Sequence, residues 1–322
     1  MQQQRFSVIV TVKNDAAALQ ELLHDLEKQT VLPDEVVITV AESSDDSLGV
    51  AHNWRPKGIK VQAISIPGSA TRSTGRNRAV DAASGTVVCF TDAGCQLSAS
   101  WLESIIHAFS LSGVQLVSGY TRGAETSPAE EVQSAFVLVS REKIGTHPLP
   151  ATRNMAVRVS AWQEIGPFRD DLNYAEDFEW SRRAELKGFQ SVFVPDAEVV
   201  WTPRTTALAY WRMIFHLTRG DMLAATWRWG HASMWMRYLF FLAVTAFLLW
   251  RTNSVFWSVF ALFLVLSAYI GIKGRRFRFR FAQSWLLYPW YQFMTDTAVL
   301  SGTLTGLMQR LYNQRQDRST HA

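Results

Sequence analysis

The sequence predicts an α/β domain built on a mostly parallel, Rossmann-like sheet, followed by a C-terminal helical transmembrane region. Up to about Pro203, short apolar runs alternate with polar or helix-like segments. From Ala232 onward the chain is rich in Phe, Trp, Leu and Val and carries few charges. The basic run KGRRFRFRF, residues 273–281, directly follows an uncharged stretch. These observations indicate a front domain of residues 1–204 and a membrane region after it.

Strand-like and helix-like stretches alternate along the front domain. The strand-like stretches are RFSVIVTV, DEVVITV, IKVQAISI and TVVCF, and the helix-like ones are AAALQELLHDLEKQ and the segment around GRNRAVDAA. This order is typical of a parallel sheet with helices on both faces. Ligands bind at the carboxyl ends of the strands in such sheets. The polar or small residues directly after strands are therefore site candidates, namely residues 11–15, 41–46 and 91–96.

The last third of the chain predicts about three membrane spans. Residues 252–272 carry no charge, and this stretch of about twenty residues is near the length that a bilayer requires. The predicted order is an interfacial amphipathic segment at 205–231, spans at 232–250, 254–272 and 284–307 within the region 232–309, and a polar tail at 310–322.

The third of these stretches has features of its own. Asp296 is its only charge, and either a hydrogen-bonded role inside a helix bundle or a role in handling a lipid substrate would account for it. Small residues at Ala298, Gly302 and Gly306 permit close helix packing. Pro289 leaves an interfacial path open for this segment.

The positive charge predicts a membrane partner and no nucleic acid. The formal charge is +4 and the pI is about 9.1. The densest basic run adjoins an apolar span, and Lys and Arg beside a span are held on the cytoplasmic side. We therefore expect a multi-pass protein of the cell (inner) membrane whose front domain is cytoplasmic. An RNA-binding strip made by the interleaved Phe residues is the weaker alternative.

Several other classes lack their sequence signatures. Cys89 and Cys95 match neither a CxxC redox pair nor a zinc site. No GxGxxG or Walker loop occurs, so NAD-dependent and ATP-hydrolysing functions lack their fingerprint. The N-terminus MQQQRFSVIV has no apolar signal segment. A transporter would need more spans with polar residues inside them.

Asp92 ends the predicted strand TVVCFTD. At the ligand edge of a sheet, a carboxylate can accept hydrogen bonds from a ribose or coordinate a divalent cation. An Asx turn or the cap of the next helix would explain the same residue without a ligand.

A second acidic cluster lies in LNYAEDFEWSRRAELKGF, residues 172–189. Asn173 and Glu176 fit a helix N-cap with its capping partner. Asp177 lies near the same helix N-terminus and suits general-base work on an acceptor hydroxyl. A solvent-facing acid in the first helical turn is the alternative for Asp177.

Three arginines crowd the segment ATRSTGRNRAVDAASG, residues 70–85. Arg72 and Arg76 are four residues apart, so they can share a helix face and meet phosphate oxygens. The glycine-containing lead-in allows backbone amides to approach an anion at the helix start.

In order along residues 5–220, these motifs resemble the family 2 glycosyltransferases, which are inverting enzymes of the GT-A fold for nucleotide-diphospho-sugars. SVIVTVKND is similar to the family's first strand and turn, and GRNRAVDAASGTVVCFTDAG to its Arg-Asn helix, strand and DxD-type motif. NYAEDFEWSRRAELKGF is similar to its ED motif, and WTPRTTALAYWRMIFHLTRGD to an interfacial segment of membrane-attached bacterial members.

The resemblance implies a hexosyltransferase-like enzyme of cell envelope polysaccharide biosynthesis. Its donor would be a nucleotide sugar, and its acceptor would be a lipid-linked or polysaccharide glycan. The enzyme would also contact membrane lipids. Its cofactor would be Mg²⁺ or Mn²⁺, with Asp92 as a ligand of the cation. Asp177 and Glu176 would be the catalytic residues. The nucleotide-sugar would be bound by Thr11, Asn14, Asp15, Glu42, Arg76, Asn77 and Asp92.

Two departures put parts of that pattern in question. Val40 and Ala41 stand where the family places an aspartate for the nucleotide base, with Glu42 or Asp45 as substitutes. Gly94 stands where the DxD-type motif has its second carboxylate, so metal dependence is open. The alternative function is a catalytically inactive, membrane-bound nucleotide-sugar-binding module.

Overall fold

The computed structural model describes residues 4–252 and 254–320. The chain divides into two compact units. The sheet unit comprises the residues up to Ala124 and Val137–Pro203, and the helical unit comprises Glu125–Phe136 and the residues from Arg204 onward. The sequence placed all of 1–204 in one domain, so the assignment of Glu125–Phe136 to the helical unit is a feature that sequence patterns did not indicate.

The sheet unit is an eight-stranded mixed sheet with helices between its strands. The strands are β1 (Phe6–Val12), β2 (Glu35–Ala41), β3 (Lys60–Ile66), β4 (Val87–Asp92), β5 (Cys95–Leu97), β6 (Leu116–Gly123), β7 (Asn154–Arg158) and β8 (Ser191–Trp201). The helices are α1 (Ala16–Glu27), α2 (Ser47–Asn53), α3 (Arg72–Ala82), α4 (Trp101–Ser110), α6 (Val159–Ile165) and α7 (Glu176–Leu186). The remaining helix of this stretch, α5 (Pro128–Val137), lies largely in the helical unit.

The strand order is β3-β2-β1-β4-β7-β6-β8-β5. Strands β3, β2, β1 and β4 are parallel neighbours, whereas β7 runs antiparallel to β4 and to β6. The predicted mostly parallel sheet is therefore confirmed. Strands β1, β2 and β4 are buried almost throughout, because helices cover both faces, and this explains their continuous apolar runs.

Register brings the ends of the parallel strands together. Thr11 of β1 pairs with Asp92 at the end of β4 and with Thr39 of β2. Helix α3 lies close over these strands because Gly75 has no side chain. A Cβ at Gly75 would lie 3.3 Å from both the Thr11 Cγ2 and the Thr39 Oγ1 atoms. The residue after Gly75, Arg76, is thereby carried to the strand ends.

Four aromatic side chains fasten α6 and α7 to the sheet. The Trp162 ring lies 5.7 Å from Phe90 of β4, 4.9 Å from Phe168 and 5.4 Å from Trp180 of α7, measured between centroids. The Trp180 Nε1 donates to the Gly166 carbonyl at 2.8 Å. This packing places the N-terminal turn of α7 with respect to the strand ends.

The helical unit contains α8 (Ala207–Leu223), α9 (Trp229–Thr252), α10 (Val255–Gly274) and α11 (Ala282–Thr320). Among the residues described, Ala232–Arg251 and Val255–Gly274 are long and apolar enough to cross a membrane. The predicted span 284–307 falls within α11, which is a single helix with Pro289 inside it, and it does not meet the same test of length and apolarity. Three spans thus remain a prediction.

Segment Glu125–Phe136 is held to α11 by a buried carboxylate. Glu131 accepts hydrogen bonds from the backbone N–H groups of Arg280 and Phe281 and from the Ser284 hydroxyl, all at the start of α11. These bonds satisfy backbone donors at the helix N-terminus, where a negative charge is favourable. The contact explains why this segment belongs to the helical unit.

Small residues bring α11 close to α8. A Cβ on Gly302 would lie 2.6 Å from the Phe215 carbonyl oxygen, and one on Gly306 would lie 2.7 Å from the Met222 Cβ. Both atoms belong to α8, and the first is part of its backbone, which cannot rotate away. The close approach therefore depends on the absence of side chains at these two positions.

Substituting either glycine by alanine is expected to weaken this packing. We expect Gly302→Ala and Gly306→Ala each to lower the free energy of unfolding by about 1–3 kcal/mol, through overpacking. Thermal unfolding in detergent measures this. The matched control is Gly271→Ala on α10, where a Cβ meets nothing within 4 Å. Equal effects at Gly271 and Gly302 would contradict the packing argument.

Glu35 is a buried carboxylate at the start of β2. Its oxygens accept hydrogen bonds from the Ser7 hydroxyl at 2.5 Å, the Ser84 hydroxyl at 3.0 Å, the Gly85 N–H at 3.2 Å and the Lys60 Nζ at 3.2 Å. Burial raises the pKa of Glu35, but these bonds outweigh burial and lower the pKa from 4.5 to about 2. The ionised form of Glu35 therefore stabilises the fold.

Stability should depend on pH through this group. The folded pKa is lower than the unfolded one, so the contribution is complete above pH 4.5 and is lost as the pH falls toward 2. A pKa shift of this size contributes about 3 kcal/mol to the free energy of unfolding at neutral pH. We expect Glu35→Gln to remove most of it and to flatten the pH dependence between 4.5 and 2, as followed by urea unfolding. An unchanged slope in the variant would assign the acid sensitivity to other carboxylates.

Candidate active site

The candidate site is built around the buried guanidinium of Arg76. Its Nη2 donates to the Asp92 Oδ1 at 2.8 Å, and its Nη1 donates to the Glu176 Oε1. The side chain of Arg76 is 4% exposed and that of Glu176 is 6% exposed, whereas Asp92 is 39% exposed. Arg76 therefore joins the end of β4 to the start of α7, and Asp92 reaches solvent.

The charged groups in this cluster shift one another's pKa values. Burial lowers the pKa of Arg76, but the carboxylates of Asp92, Glu176 and Asp177 outweigh it and raise that pKa above its ordinary value. Desolvation raises the pKa of Asp92, but Arg76, with help from Arg153 and Arg72, holds it below its usual range. Asp92 is thus ionised at neutral pH.

The pKa of Glu176 shifts in the opposite direction to that of Asp92. Burial raises the pKa of its carboxyl above the usual range, the guanidinium of Arg76 opposes this, and the neighbouring charge of Asp177 adds to the increase. Two carboxyl groups in one cluster therefore differ in pKa, because the arginines outweigh desolvation at Asp92 but not at Glu176.

The start of α7 differs from the predicted capping arrangement. The helix begins at Glu176, and the residue before it, Ala175, has a left-handed backbone conformation with φ of 63°. Asn173 does not cap α7, because its Oδ1 accepts from the Arg72 N–H at 2.9 Å, at the start of α3. Glu176 is accordingly an ion-pair partner of Arg76 and no capping partner of Asn173.

Asp177 lies beside Glu176 and is partly exposed. Its Oδ1 accepts from the Phe178 N–H at 2.8 Å. Because its charge also acts on Arg76, the structure brings Asp177, Glu176 and Asp92 together around one guanidinium. In the sequence, Asp92 lies far from the adjacent pair Glu176 and Asp177, and these three acids are the ones that the sequence singled out.

Arg76 and Arg72 lie in different environments, and the nucleotide contacts predicted for this segment stay predictions. Two nitrogens of Arg76 face carboxylates in a buried environment. Arg72 is exposed; its Nη1 donates to the Asn173 carbonyl, and its guanidinium lies 4.3 Å from the centre of the Tyr174 ring. Arg72 is therefore the member of this pair that remains accessible to an anion.

Asn77 has a positioning role. Its Nδ2 donates to the Phe168 carbonyl at 2.8 Å and to the Asp170 Oδ1 at 3.0 Å, and its Oδ1 accepts from the Phe168 N–H at 3.0 Å. Its carboxamide thus holds the loop before α7 against α3. The predicted contact of Asn77 with a nucleotide stays a prediction.

The other predicted residues lie near the strand ends in different settings. Asn14 has a left-handed backbone conformation, and its Oδ1 accepts from the Ser44 N–H at 2.7 Å, which ties the turn after β1 to the turn after β2.

The Asp45 carboxylate also accepts hydrogen bonds from within the protein, from the Ala16 N–H and the Ser47 hydroxyl. Asp15 and Glu42 are exposed. Thr11 is partly buried beside Asp92.

Arg153 is a residue that sequence reasoning missed. It directly precedes β7, its guanidinium lies 5.4 Å from the centre of the Trp201 ring, and its charge helps to lower the pKa of Asp92. Because β7 is inserted next to β4 in antiparallel orientation, Arg153 arrives at the strand end from a distant part of the chain. Arg153 lies in the segment ATRNMAVR, residues 151–158, and no local pattern in it marks this residue.

The residues around Asp92 set limits on a bound metal. Among the described residues, no group of three or more His, Cys, Asp or Glu side chains is arranged to hold a metal ion. Gly94 leaves open space, since a Cβ there would meet nothing within 4 Å. One Asp92 oxygen is bonded to Arg76, and the carboxylate is partly exposed. The donor set fits a hard cation that has one protein carboxylate and completes its shell with other oxygens.

Comparisons with known proteins agree with this architecture. The Glycosyl transferase family 2 model matches residues 7–166, and the Glycosyl transferase family group 2 model matches residues 110–295. Glycosyltransferase AglE of Haloferax volcanii is 26% identical over 195 residues, which cover 59% of this chain and 64% of that protein. The chain thus spans under two thirds of that relative.

Two solved structures show the same fold. The mannosyltransferase PcManGT from Pyrobaculum calidifontis, in complex with GDP-Man and Mn²⁺, superposes with a TM-score of 0.57 at 17% identity, covering 97% of this chain and 88% of that one. S. aureus TarS 1–349, in complex with UDP, superposes with a TM-score of 0.52 at 17% identity, covering 96% and 91%.

The sheet and the acids at its edge define the protein class: an α/β transferase of the GT-A fold. The chain belongs to the family 2 glycosyltransferases, since the family group 2 model covers more than half of it. The expected fold and enzyme class are therefore confirmed. The roles of the individual site residues remain predictions.

Removing the guanidinium of Arg76 should destabilise the fold. We expect Arg76→Met to lower the free energy of unfolding by about 3–5 kcal/mol, because it leaves Glu176 buried without its partner. Chemical denaturation of the purified protein measures the change. The control is Arg78→Met on the exposed face of α3, with an expected change within about 0.5 kcal/mol. A neutral result for Arg76→Met would show that the ion pairs contribute little to the fold.

Proposed function

We propose that this protein is an inverting glycosyltransferase that moves a sugar from a nucleoside-diphosphate donor to a lipid-linked or polysaccharide acceptor at the cytosolic face of the cell membrane. The observation that carries the proposal is the Arg76 cluster, which unites Asp92 at the sheet edge with Glu176 and Asp177 at the start of α7. One site thereby has an acid on the donor side and an acid on the acceptor side.

Asp92 has the properties of a donor-binding residue. It is ionised, partly exposed and located at the carboxyl end of a strand in a parallel region, where nucleotide ligands bind. Its carboxylate accepts hydrogen bonds from the ribose hydroxyls. Asp92 would also hold a Mg²⁺ or Mn²⁺ ion together with the donor's diphosphate oxygens, and this cation would neutralise charge on the leaving diphosphate.

Asp177 is the proposed general base. It is partly exposed, unlike Glu176, and so it can reach an acceptor hydroxyl. As the acceptor oxygen attacks the anomeric carbon, Asp177 takes its proton and the bond to the diphosphate breaks on the opposite side. This single in-line displacement inverts the configuration. Glu176 and Arg76 hold the two acids in place.

The negative charge that develops on the leaving diphosphate needs cationic partners. Arg153 and Arg72 act electrostatically on Asp92 and lie outside the buried ion pairs of Arg76. They are the side chains of this chain best placed to stabilise that charge, since charge-assisted bonds to phosphate are strong. The proposal thus assigns phosphate contact to arginines other than Arg76.

Membrane attachment is supported by the helical unit. Two helices of this unit are long and apolar enough to span, and the basic residues 273–280 follow the second one. This charge distribution favours a cytosolic location for that end. A lipid-linked acceptor would present its hydroxyl close to the bilayer surface, where α8 carries several aromatic residues.

The decisive test separates donor binding from turnover. We expect Asp177→Asn to reduce sugar transfer by about 10²–10⁴-fold, because it removes proton abstraction, while donor binding measured by calorimetry stays within about two-fold. Labelled UDP- and GDP-sugars with membrane lipid extracts provide the substrates. The matched control is Glu185→Gln, an exposed acid on the same helix, which should keep full turnover.

The same experiment distinguishes a catalytically inactive binding module. A wild-type protein that binds a nucleotide sugar but consumes none of the donors would establish the module and overturn the enzyme. Asp92→Asn provides a second check, since it should weaken donor binding itself. Turnover that survives in Asp177→Asn would assign the base to another residue.

A further inference from the structure

The seam between α9 and α10 contains an open groove of about 560 Å³. Its walls are formed by one stripe of each helix. The residues that define this groove include Met236, Phe240 and Phe241 of α9 and Val265, Ala268 and Ile272 of α10. The volume is in the range of sites that hold small molecules, and the walls are almost entirely apolar.

One end of the groove is charged. Arg237 lines it, and its guanidinium donates to the Tyr269 hydroxyl, which also lines the groove, and to the Asp296 Oδ1 at 2.7 Å. Asp296 is bonded further by the Tyr238 hydroxyl at 3.0 Å and by the Gln292 Nε2 at 2.9 Å. The charge of Arg237 is thus balanced by Asp296 within the unit.

A second cation, Lys273, lies next to this end of the groove, since its Nζ is 6.0 Å from the centre of the Tyr269 ring, and it shares the charge of Asp296 with Arg237. The Lys273 Nζ donates to the neutral Gln292 Oε1 at 2.6 Å and lies 5.5 Å from the centre of the Phe136 ring. Among the ion pairs of the described residues, none includes Lys273. Arg237, Asp296 and Lys273 together carry one net positive charge.

An unsatisfied donor lies at the same place. The Arg237 Nε is buried and has no hydrogen-bond partner among the described residues. A buried N–H without a partner is costly, and an acceptor oxygen from a ligand would remove that cost. An anionic oxygen would satisfy the Arg237 Nε and the charge of Lys273 together.

The position along the helix suits a lipid headgroup. Arg237 is five residues into the Ala232–Arg251 segment, which corresponds to about 8 Å along the helix axis. The groove continues from this charged level toward Phe240 and Val265, away from the basic residues that follow Lys273. A ligand with an anionic head and an apolar tail matches this order of charged and apolar surface.

We propose that the groove between α9 and α10 binds one anionic phospholipid of the membrane, with its phosphate at Arg237 and Lys273 and one acyl chain along the apolar walls. Basic pockets between membrane helices on the cytosolic side bind anionic headgroups by the same physics. The proposal rests on the membrane attachment proposed above, and it does not depend on the sugar that is transferred.

The test uses the full chain in detergent with dioleoylphosphatidylglycerol or dioleoylphosphatidylcholine as the probe. Native mass spectrometry should show one retained phosphatidylglycerol and no retained phosphatidylcholine. Ala268→Phe fills the groove and should abolish retention, whereas the matched control Ser267→Phe, exposed and outside the groove lining, should not. Lys273→Gln should weaken phosphatidylglycerol binding about five-fold, the effect of one basic charge near a membrane surface, and Arg251→Gln at the other end of α9 should leave it unchanged.

Three outcomes would overturn the proposal. These are equal retention of both lipids, undiminished retention in Ala268→Phe, and a dimer mass that replaces lipid binding and is lost in Ala268→Phe. Donor binding measured on the same preparations keeps the two proposals separate. Selective lipid retention without any donor binding would contradict only the proposed function, and donor binding without lipid selectivity would contradict only the groove.

Discussion

The ion pairs of Arg76 are the constraint on which the sheet unit depends. A buried guanidinium is stable only with carboxylates and hydrogen bonds around it, so Asp92 and Glu176 are required wherever α3 places Arg76. In turn, Arg76 must reach the strand end, and Gly75 permits this by letting α3 lie close to β1 and β2. Helix α7 is thereby fixed to α3 and β4, which lie much earlier in the chain.

The same cluster contains one buried acid and two acids that are partly exposed. Glu176 is buried against Arg76, whereas Asp92 and Asp177 are partly exposed. The loop before α7 is tied to α3 by Thr71, Ser73 and Asn77, so the start of α7, which carries Asp177, is held against α3. Preorganised charges of this kind act on a bound substrate without the cost of reorganisation. Stability and proposed catalysis therefore share one group of residues.

The helical unit follows different physical rules. Many large apolar side chains of α9 and α10 are exposed, whereas Asp296 and Gln292 of α11 are buried. Helices α8 and α11 approach closely through Gly302 and Gly306, as the sequence spacing predicted. Asp296 accepts three hydrogen bonds within the unit, which supports the bundle role that was one of its two interpretations.

The sequence by itself determined the alternation of strands and helices and the fold class, and it singled out Asp92, Glu176 and Asp177, because hydrophobic periodicity and motif order can be read from the chain alone. It did not reveal that Arg76 is an internal cation, that Asn173 serves α3, that Arg153 reaches Asp92 or that Glu125–Phe136 joins the helical unit. Those features arise from antiparallel insertion of β7 and from side chains that meet over separations of up to about 150 residues in sequence. Only the tertiary structure decided them, since the burial and partners of a charge depend on packing and not on its neighbours in the chain.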